Sequence, residues 1–97
     1  MSIFNRYIGK HVVVRTYSAG VHIGTLAEVE GDAVVLTDAR RLWKWAGAFT
    51  LSEVATAGIN PKGSRMSASV PEYLVAGMIE IIPSTEKARA SFDLTKE

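Results

Sequence analysis

Four residues near the middle of the chain, Arg40, Arg41, Trp43 and Trp45, have side chains that suit the binding of a planar anionic molecule. An indole ring offers a stacking surface for a purine base, and a guanidinium group can bind a phosphate through two hydrogen bonds. If this segment is a β-strand, Arg41, Trp43 and Trp45 lie on one of its faces. The pattern therefore indicates a binding site for a small nucleotide-type ligand.

The same residues also have a structural interpretation. Tryptophan fills cores and subunit interfaces more often than it binds ligands, and arginine is enriched at interfaces as well. Under this interpretation Trp43 and Trp45 are core or interface residues, and Arg41 pairs with Asp38 or Glu53. Both interpretations stay open on the sequence alone.

Five further residues are candidates for the same site. Arg15 and Tyr17 repeat the combination of arginine and aromatic residue one strand earlier, or form an ordinary surface pair between strands. Ser18 begins a Ser-Ala-Gly turn whose backbone amides could approach a phosphate, or which simply joins two strands. Arg65 and Lys62 lie in a polar segment that could close over an anion or remain solvated.

No pattern in the chain indicates catalysis or metal binding. It has two histidines, His11 and His22, and no cysteine, and neither histidine belongs to a motif for nucleophilic catalysis or metal coordination. It has no glycine-rich phosphate loop. We therefore expect a protein that is not an enzyme and uses no cofactor or metal.

Charge and hydropathy restrict the partners. Eleven basic and ten acidic residues give a net charge of +1, too balanced for a protein that coats duplex nucleic acid by neutralising phosphates. Any anion must therefore meet a local cluster of cations. No apolar run approaches the ~20 residues that span a bilayer, and Arg6 and Lys10 lie where a signal peptide needs apolar residues. We expect a cytoplasmic protein with no membrane partner.

Strand patterns dominate the chain. They predict strands over residues 11–17, 21–30, 33–37 and 40–46, and a last strand over 75–82 that residues 70–74 lead into. The short turns between them predict an antiparallel meander. Residues 59–69 predict a mobile loop, and residues 93–97 a frayed tail.

Three short helices complete the prediction. The first covers residues 2–9, with Ser2 as its N-cap. The second follows the fourth strand, where Thr50 and Glu53 form a capping box and Gly58 ends the helix. The third begins after Thr85. The predicted fold is a single mainly β domain over residues 1–97, a small, strongly bent antiparallel sheet that closes into a barrel.

Residues 7–38 resemble the first half of an Sm-like or SH3-like barrel. The resemblance rests on a helix followed by IGK, the strand VVVR, the series G-x-x-x-GTL and the series VL-x-D, and VAGMIEI resembles the closing strand of that family. Sm proteins hold a uridine base with an Asp-x-hydrophobic-x-Asn loop. The corresponding loop here, EGDA, has no asparagine, so the resemblance does not extend to uridine binding.

A second resemblance covers most of the chain. The series VRTYSAGVHIGTL, DARRLWKWAGAFTLSEVA and IEIIPSTEKA resemble a group of small proteins of unknown function that is common in phages and prophages. This resemblance implies a role in counter-defence, for which some phage proteins act as oligomeric sponges for nucleotide immune signals.

Three functional hypotheses follow. The first is a non-catalytic homo-oligomer that sequesters a cyclic nucleotide or an ADP-ribose-type signal. The second is an Sm-like ring that binds single-stranded RNA. The third is a structural or host-protein-binding module without a small ligand.

Overall fold

The computed structural model describes residues 3–18 and 20–97. Within these residues the protein is mainly β, with an antiparallel sheet of six strands, two short α-helices and two 3-10 helices. The strands are β1 (His11–Thr16), β2 (Val21–Glu30), β3 (Ala33–Lys44), β4 (Arg65–Met66), β5 (Val70–Val75) and β6 (Met78–Pro83). The helices are α1 (Leu51–Thr56) and α2 (Glu86–Asp93), and the 3-10 helices are Ile3–Arg6 and Pro61–Gly63. The prediction of a mainly β fold is confirmed.

The sheet bends strongly, but it is not closed. Its order is β4-β3-β2-β1-β6. The strand β5 also pairs with β3, on the same side as β4 but further toward the start of β3. Only Ala76 and Gly77 separate β5, which pairs with β3, from β6, which pairs with β1. These two strands therefore run end to end rather than side by side, and this is why the predicted closed barrel does not form.

The strands predicted over residues 33–37 and 40–46 are one continuous strand, β3. Asp38 takes a positive φ of 49° there, a conformation that aspartate tolerates better than most residues. The strand therefore bends without ending. The pairing of β2 with β3 shifts opposite this bend, and a side chain on Gly24 would lie 3.0 Å from the Thr37 carbonyl oxygen.

The core has two parts, one on each side of the sheet. On the helical side, Val13 and Leu42 pack with Val54 of α1 and Phe92 of α2. On the other side lies a second buried cluster: Val12, Val14, Leu26, Val34, Leu36, Ala39 and Val75. Because both faces of β1 are covered, three consecutive valines, residues 12–14, are completely buried.

Two of the three predicted N-caps lie among the described residues, and both are present. The Thr50 hydroxyl accepts a hydrogen bond from the Glu53 amide at 3.2 Å, and the Thr85 hydroxyl accepts one from the Ala88 amide at 3.1 Å. Gly58 follows α1 with a φ of +86°, as expected for a helix that ends at glycine. The N-terminal helix is the 3-10 helix Ile3–Arg6, and the predicted cap Ser2 lies outside the described residues.

The segment predicted as a polar loop contains the second 3-10 helix and β4, and its residues Ser64 and Met66 are completely buried. The Met66 amide donates to the Lys96 carbonyl at 2.9 Å. The C-terminal residues therefore lie beside β4, and Thr95 is buried among them. No helix in the described part of the chain combines the length and apolar character needed to cross a membrane.

Candidate functional site

The eight residues that the sequence indicated lie on several separate surfaces. Arg15 and Trp45 line one concavity, while Arg40, Arg41 and Arg65 each line a different one. Tyr17 and Ser18 are exposed just beyond β1, with Ala19 of their turn outside the described residues. Trp43 is also exposed, at 58%. The structure thus brings together two of the predicted residues.

Arg40 is a structural residue. Its guanidinium donates from Nε to the Ser67 carbonyl at 2.7 Å, from Nη1 to the Phe92 carbonyl at 2.8 Å and from Nη2 to the Thr95 carbonyl at 2.8 Å. These three carbonyls belong to the segment after β4 and to the C-terminal region. Arg40 therefore fastens the end of α2 to the sheet, and its donors are engaged within the protein.

Arg41 points to a different surface. It is exposed, and its Nη2 donates to the Tyr73 hydroxyl at 2.8 Å. The Tyr73 ring in turn lies 4.9 Å from the ring of His22. The sequence placed Arg41 and Trp45 on one face of a strand, but β3 ends at Lys44. Strand alternation therefore does not extend to Trp45, and its ring reaches a different concavity.

The concavity shared by Arg15 and Trp45 has a volume of about 410 Å³ and is the candidate functional site. We call it the Arg15 pocket. It lies between β1, β6 and the segment that leads into α1. Its lining comprises Arg15, Val21, Trp45, Phe49, Thr50, Leu51, Ser52 and Glu80. Trp45 is 37% exposed and Phe49 is 95% exposed, so one arginine and two accessible aromatic residues line a common space.

Strand pairing explains how Arg15 reaches this position. Arg15 is opposite Val21 of β2 and opposite Glu80 of β6. Side chains at directly paired positions share a face of the sheet. The Arg15 Nη1 lies 3.8 Å from the Glu80 Oε1, and the two side chains are 56% and 43% exposed. This contact is longer than a good hydrogen bond and is screened by water, so it holds Arg15 weakly.

Sequence reasoning missed Phe49 and Glu80. Phe49 directly precedes the helix cap Thr50, and Glu53 accepts a hydrogen bond from the Phe49 amide at 3.4 Å. The predicted cap could therefore have drawn attention to this aromatic residue. Glu80 carries no such local signal, because its position beside Arg15 depends on the pairing of β1 with β6, which are more than sixty residues apart in the chain.

A second polar concavity, of about 380 Å³, contains His11, Arg40, Arg89 and Asp93. The His11 ring is stacked near Phe92, with ring centroids 6.1 Å apart, and its buried Nδ1 has no hydrogen-bond partner among the described residues. Burial and then the positive charge of Arg89 lower the pKa of His11 from 6.5 to about 4, against the opposing effect of Asp93. His11 is therefore neutral at pH 7 and packs as part of the attachment of α2.

The model of a protein family described as a domain of unknown function, DUF6948, matches residues 9–92. The chain belongs to this family. The matched residues include every residue that lines the Arg15 pocket. No curated protein matches the chain.

Proposed function

We propose that this protein is a non-catalytic binding protein that sequesters a small nucleotide-type ligand in the Arg15 pocket. The observation that carries the proposal is the convergence of Arg15, Trp45 and Phe49, from different parts of the chain, on one concavity. A guanidinium can bind a phosphate, and the two aromatic rings can stack on a base. These are the two groups that a nucleotide presents together.

The dimensions and the state of the pocket are compatible with this role. Its volume of about 410 Å³ falls within the range of roughly 300 to 1,000 Å³ that is common for small-molecule sites. Because the ion pair of Arg15 with Glu80 is long and exposed, an incoming phosphate can replace Glu80 at little cost. The exposed ring of Phe49 gains buried area when a base covers it.

Two edges of the sheet support the homo-oligomer that is part of the proposal. Within the described residues, β5 pairs only with β3, and β6 pairs only with β1. Leu74 on β5 is 69% exposed and Ile79 on β6 is 53% exposed. An edge strand with exposed apolar side chains favours pairing with another chain. A second copy would satisfy these backbone groups and cover the apolar side chains.

The resemblance to phage proteins suggests the biological setting. In that setting the ligand is an immune signal of the cyclic nucleotide or ADP-ribose type, and its removal counters the defence of the host. Sequestration requires no bond to break. A signal at micromolar concentration is removed by an abundant protein whose Kd is roughly nanomolar, about −12 kcal/mol.

The test is calorimetric titration of the purified protein with individual cyclic mononucleotides, cyclic dinucleotides and ADP-ribose. Arg15→Ala and Trp45→Ala should each weaken the binding of the ligand about 10- to 100-fold, because a charge-assisted hydrogen bond or a base stack contributes about 1 to 3 kcal/mol. Glu80→Gln should strengthen binding, since it removes the negative charge that competes for Arg15. Chromatography of the released ligand should recover it chemically unchanged.

Two matched controls are available in the same chain. Arg41→Ala removes an exposed arginine and Tyr17→Ala an exposed aromatic residue, and neither lines the pocket. Both variants should bind like the unchanged protein. Full binding by Arg15→Ala and Trp45→Ala would contradict the site. Affinity that rises with RNA length and falls steeply with salt would support the RNA-binding ring instead, and binding of a host protein alone would support an interaction module.

A further inference from the structure

The junction of β3 with β4 brings two positive charges into direct opposition. In the register of these strands Lys44 is paired with Arg65. The register of β3 with β4 shifts between Leu42 and Lys44, and this shift sets Lys44 opposite Arg65. Like charges at opposed positions of neighbouring strands are destabilising.

Two further cations lie beside Arg65. The hydrogen bond from the Met66 amide to the Lys96 carbonyl, at 2.9 Å, places the C-terminal segment along the other side of β4. Lys62, Arg65 and Lys96 line one concavity of about 320 Å³ together with Pro61 and Leu94. Lys44, Lys62, Arg65 and Lys96 are called the β4 cation cluster below.

No carboxylate in the described part of the chain forms an ion pair with this cluster. Across residues 3–18 and 20–97, the single ion pair is that of Arg15 with Glu80. The nearby Glu97 carboxylate accepts a hydrogen bond from the Ala68 amide at 2.9 Å, and Arg65 donates from Nη1 to the carbonyl of its neighbour Ser64 at 2.9 Å. None of the four cations therefore forms an ion pair with an acidic side chain of the described residues, in a protein whose net charge is only +1.

We propose that the β4 cation cluster is a second binding site, for a ligand that carries two or more closely spaced phosphate groups. Neighbouring strands are about 4.8 Å apart, so the backbones that carry Lys44, Arg65 and Lys96 span about 10 Å. This is the scale of a polyphosphate chain or of successive phosphates in a single nucleic-acid strand. A single carboxylate could neutralise only one of the four cations. The cluster shares no residue with the Arg15 pocket, so the proposal is independent of the function proposed above.

The free protein provides the first test. Lys44→Gln removes one of the two opposed charges and should raise the thermal midpoint of the protein by a few degrees at low salt, with a smaller effect at 0.5 M salt, where surface charges are screened. Lys87→Gln on α2 is the control with the same change of charge and should leave the midpoint nearly unchanged. A midpoint for Lys44→Gln equal to that of the control at low salt would overturn the claim that the cluster is repulsive.

Binding is tested by calorimetric titration with inorganic tripolyphosphate and by fluorescence anisotropy with oligouridylates of increasing length. Tripolyphosphate should bind with a stoichiometry of one per chain, and Lys44→Gln/Arg65→Gln should weaken it at least 10-fold. The control Lys87→Gln/Arg6→Gln carries the same net charge and should weaken binding less than threefold. Affinity that rises with oligonucleotide length would identify a nucleic-acid strand as the ligand. If tripolyphosphate binds most tightly, the ligand is a small polyphosphate. Equal weakening by the two double variants, or no binding at low salt, would overturn the proposal.

Discussion

Replacing Arg40 with alanine should destabilise the protein strongly without acting on the Arg15 pocket. The guanidinium of Arg40 donates to three backbone carbonyls, at 2.7, 2.8 and 2.8 Å. Two of these carbonyls belong to Phe92 and Thr95, whose side chains are buried. The substitution removes all three bonds and leaves the carbonyls to find water in a partly buried environment.

The magnitude follows from these bonds. A hydrogen bond to a charged group contributes about 1.5 to 3 kcal/mol net. Because Arg40 is only half-buried, water can reach some of the released carbonyls, and we take the total loss as about 3 kcal/mol. In a domain of this size, where 1 kcal/mol shifts the midpoint by about 4 to 8 °C, this corresponds to more than about 10 °C. Arg40→Lys keeps the charge but cannot make all three bonds in the same geometry, and should lose about half as much.

The assay is urea denaturation followed by circular dichroism, with thermal denaturation as a second measurement. Arg41→Ala is the matched control, because Arg41 is exposed and makes one side-chain hydrogen bond, to Tyr73; it should lose less than about 1 kcal/mol. A stability of Arg40→Ala within 1 kcal/mol of that of Arg41→Ala would refute the role assigned to Arg40. So would an Arg40→Ala protein that is fully stable but binds no ligand.

Two further predictions concern stability. Because the pKa of His11 is lowered from 6.5 to about 4 in the folded protein, the unfolded chain binds the proton first, and the free energy of unfolding should fall as the pH drops from about 6.5 to about 4. The full pKa difference corresponds to about 3 kcal/mol, which solvent screening of this partly exposed ring reduces to about 1 to 2 kcal/mol. In urea denaturation at a series of pH values across this range, His11→Gln should lose less stability than the unchanged protein. Parallel curves of stability against pH for the two proteins would contradict the assignment. Gly58→Ala should cost about 2 to 3 kcal/mol, because a Cβ there would lie 2.5 Å from the Ser91 Oγ at a φ of +86°. Gly9→Ala has the same φ and open space around it, so denaturation midpoints that agree between the two variants would show that the contact with α2 is unimportant.

The sequence predicted the local features of the fold well. The strand β2, the cap at Thr50 and the cap at Thr85 depend on residues close together in the chain, and the structure contains all three. The continuity of β3 was not predicted, because aspartate at position 38 is typical of a turn. Only the pairing of β3 with β2 and β5 shows that the strand continues through Asp38. The open sheet was missed for a related reason, since it depends on how β5 and β6 meet end to end.

The candidate site was predictable only in part. Residue types drew attention to Arg15 and Trp45 as cation and indole, and the structure places both in one pocket. Arg40 has the same chemistry in the sequence, but its three carbonyl partners lie 27 to 55 residues away. No local pattern separates such a structural arginine from one that can meet a ligand. Only its tertiary surroundings show that its donors are already engaged.

The most direct test of the central proposal uses the two tryptophans, each of which gives one indole N–H signal in a nitrogen-15 NMR spectrum. Trp45 lines the Arg15 pocket, whereas Trp43 is exposed outside it, so each serves as a control for the other, and Trp43→Phe assigns the signals. Titration with cyclic dinucleotides and ADP-ribose, one at a time, should move the Trp45 signal saturably and leave the Trp43 signal in place for the ligand that binds. Movement of Trp43 alone, or of neither signal with any of these ligands, would contradict the proposal that this pocket holds a nucleotide.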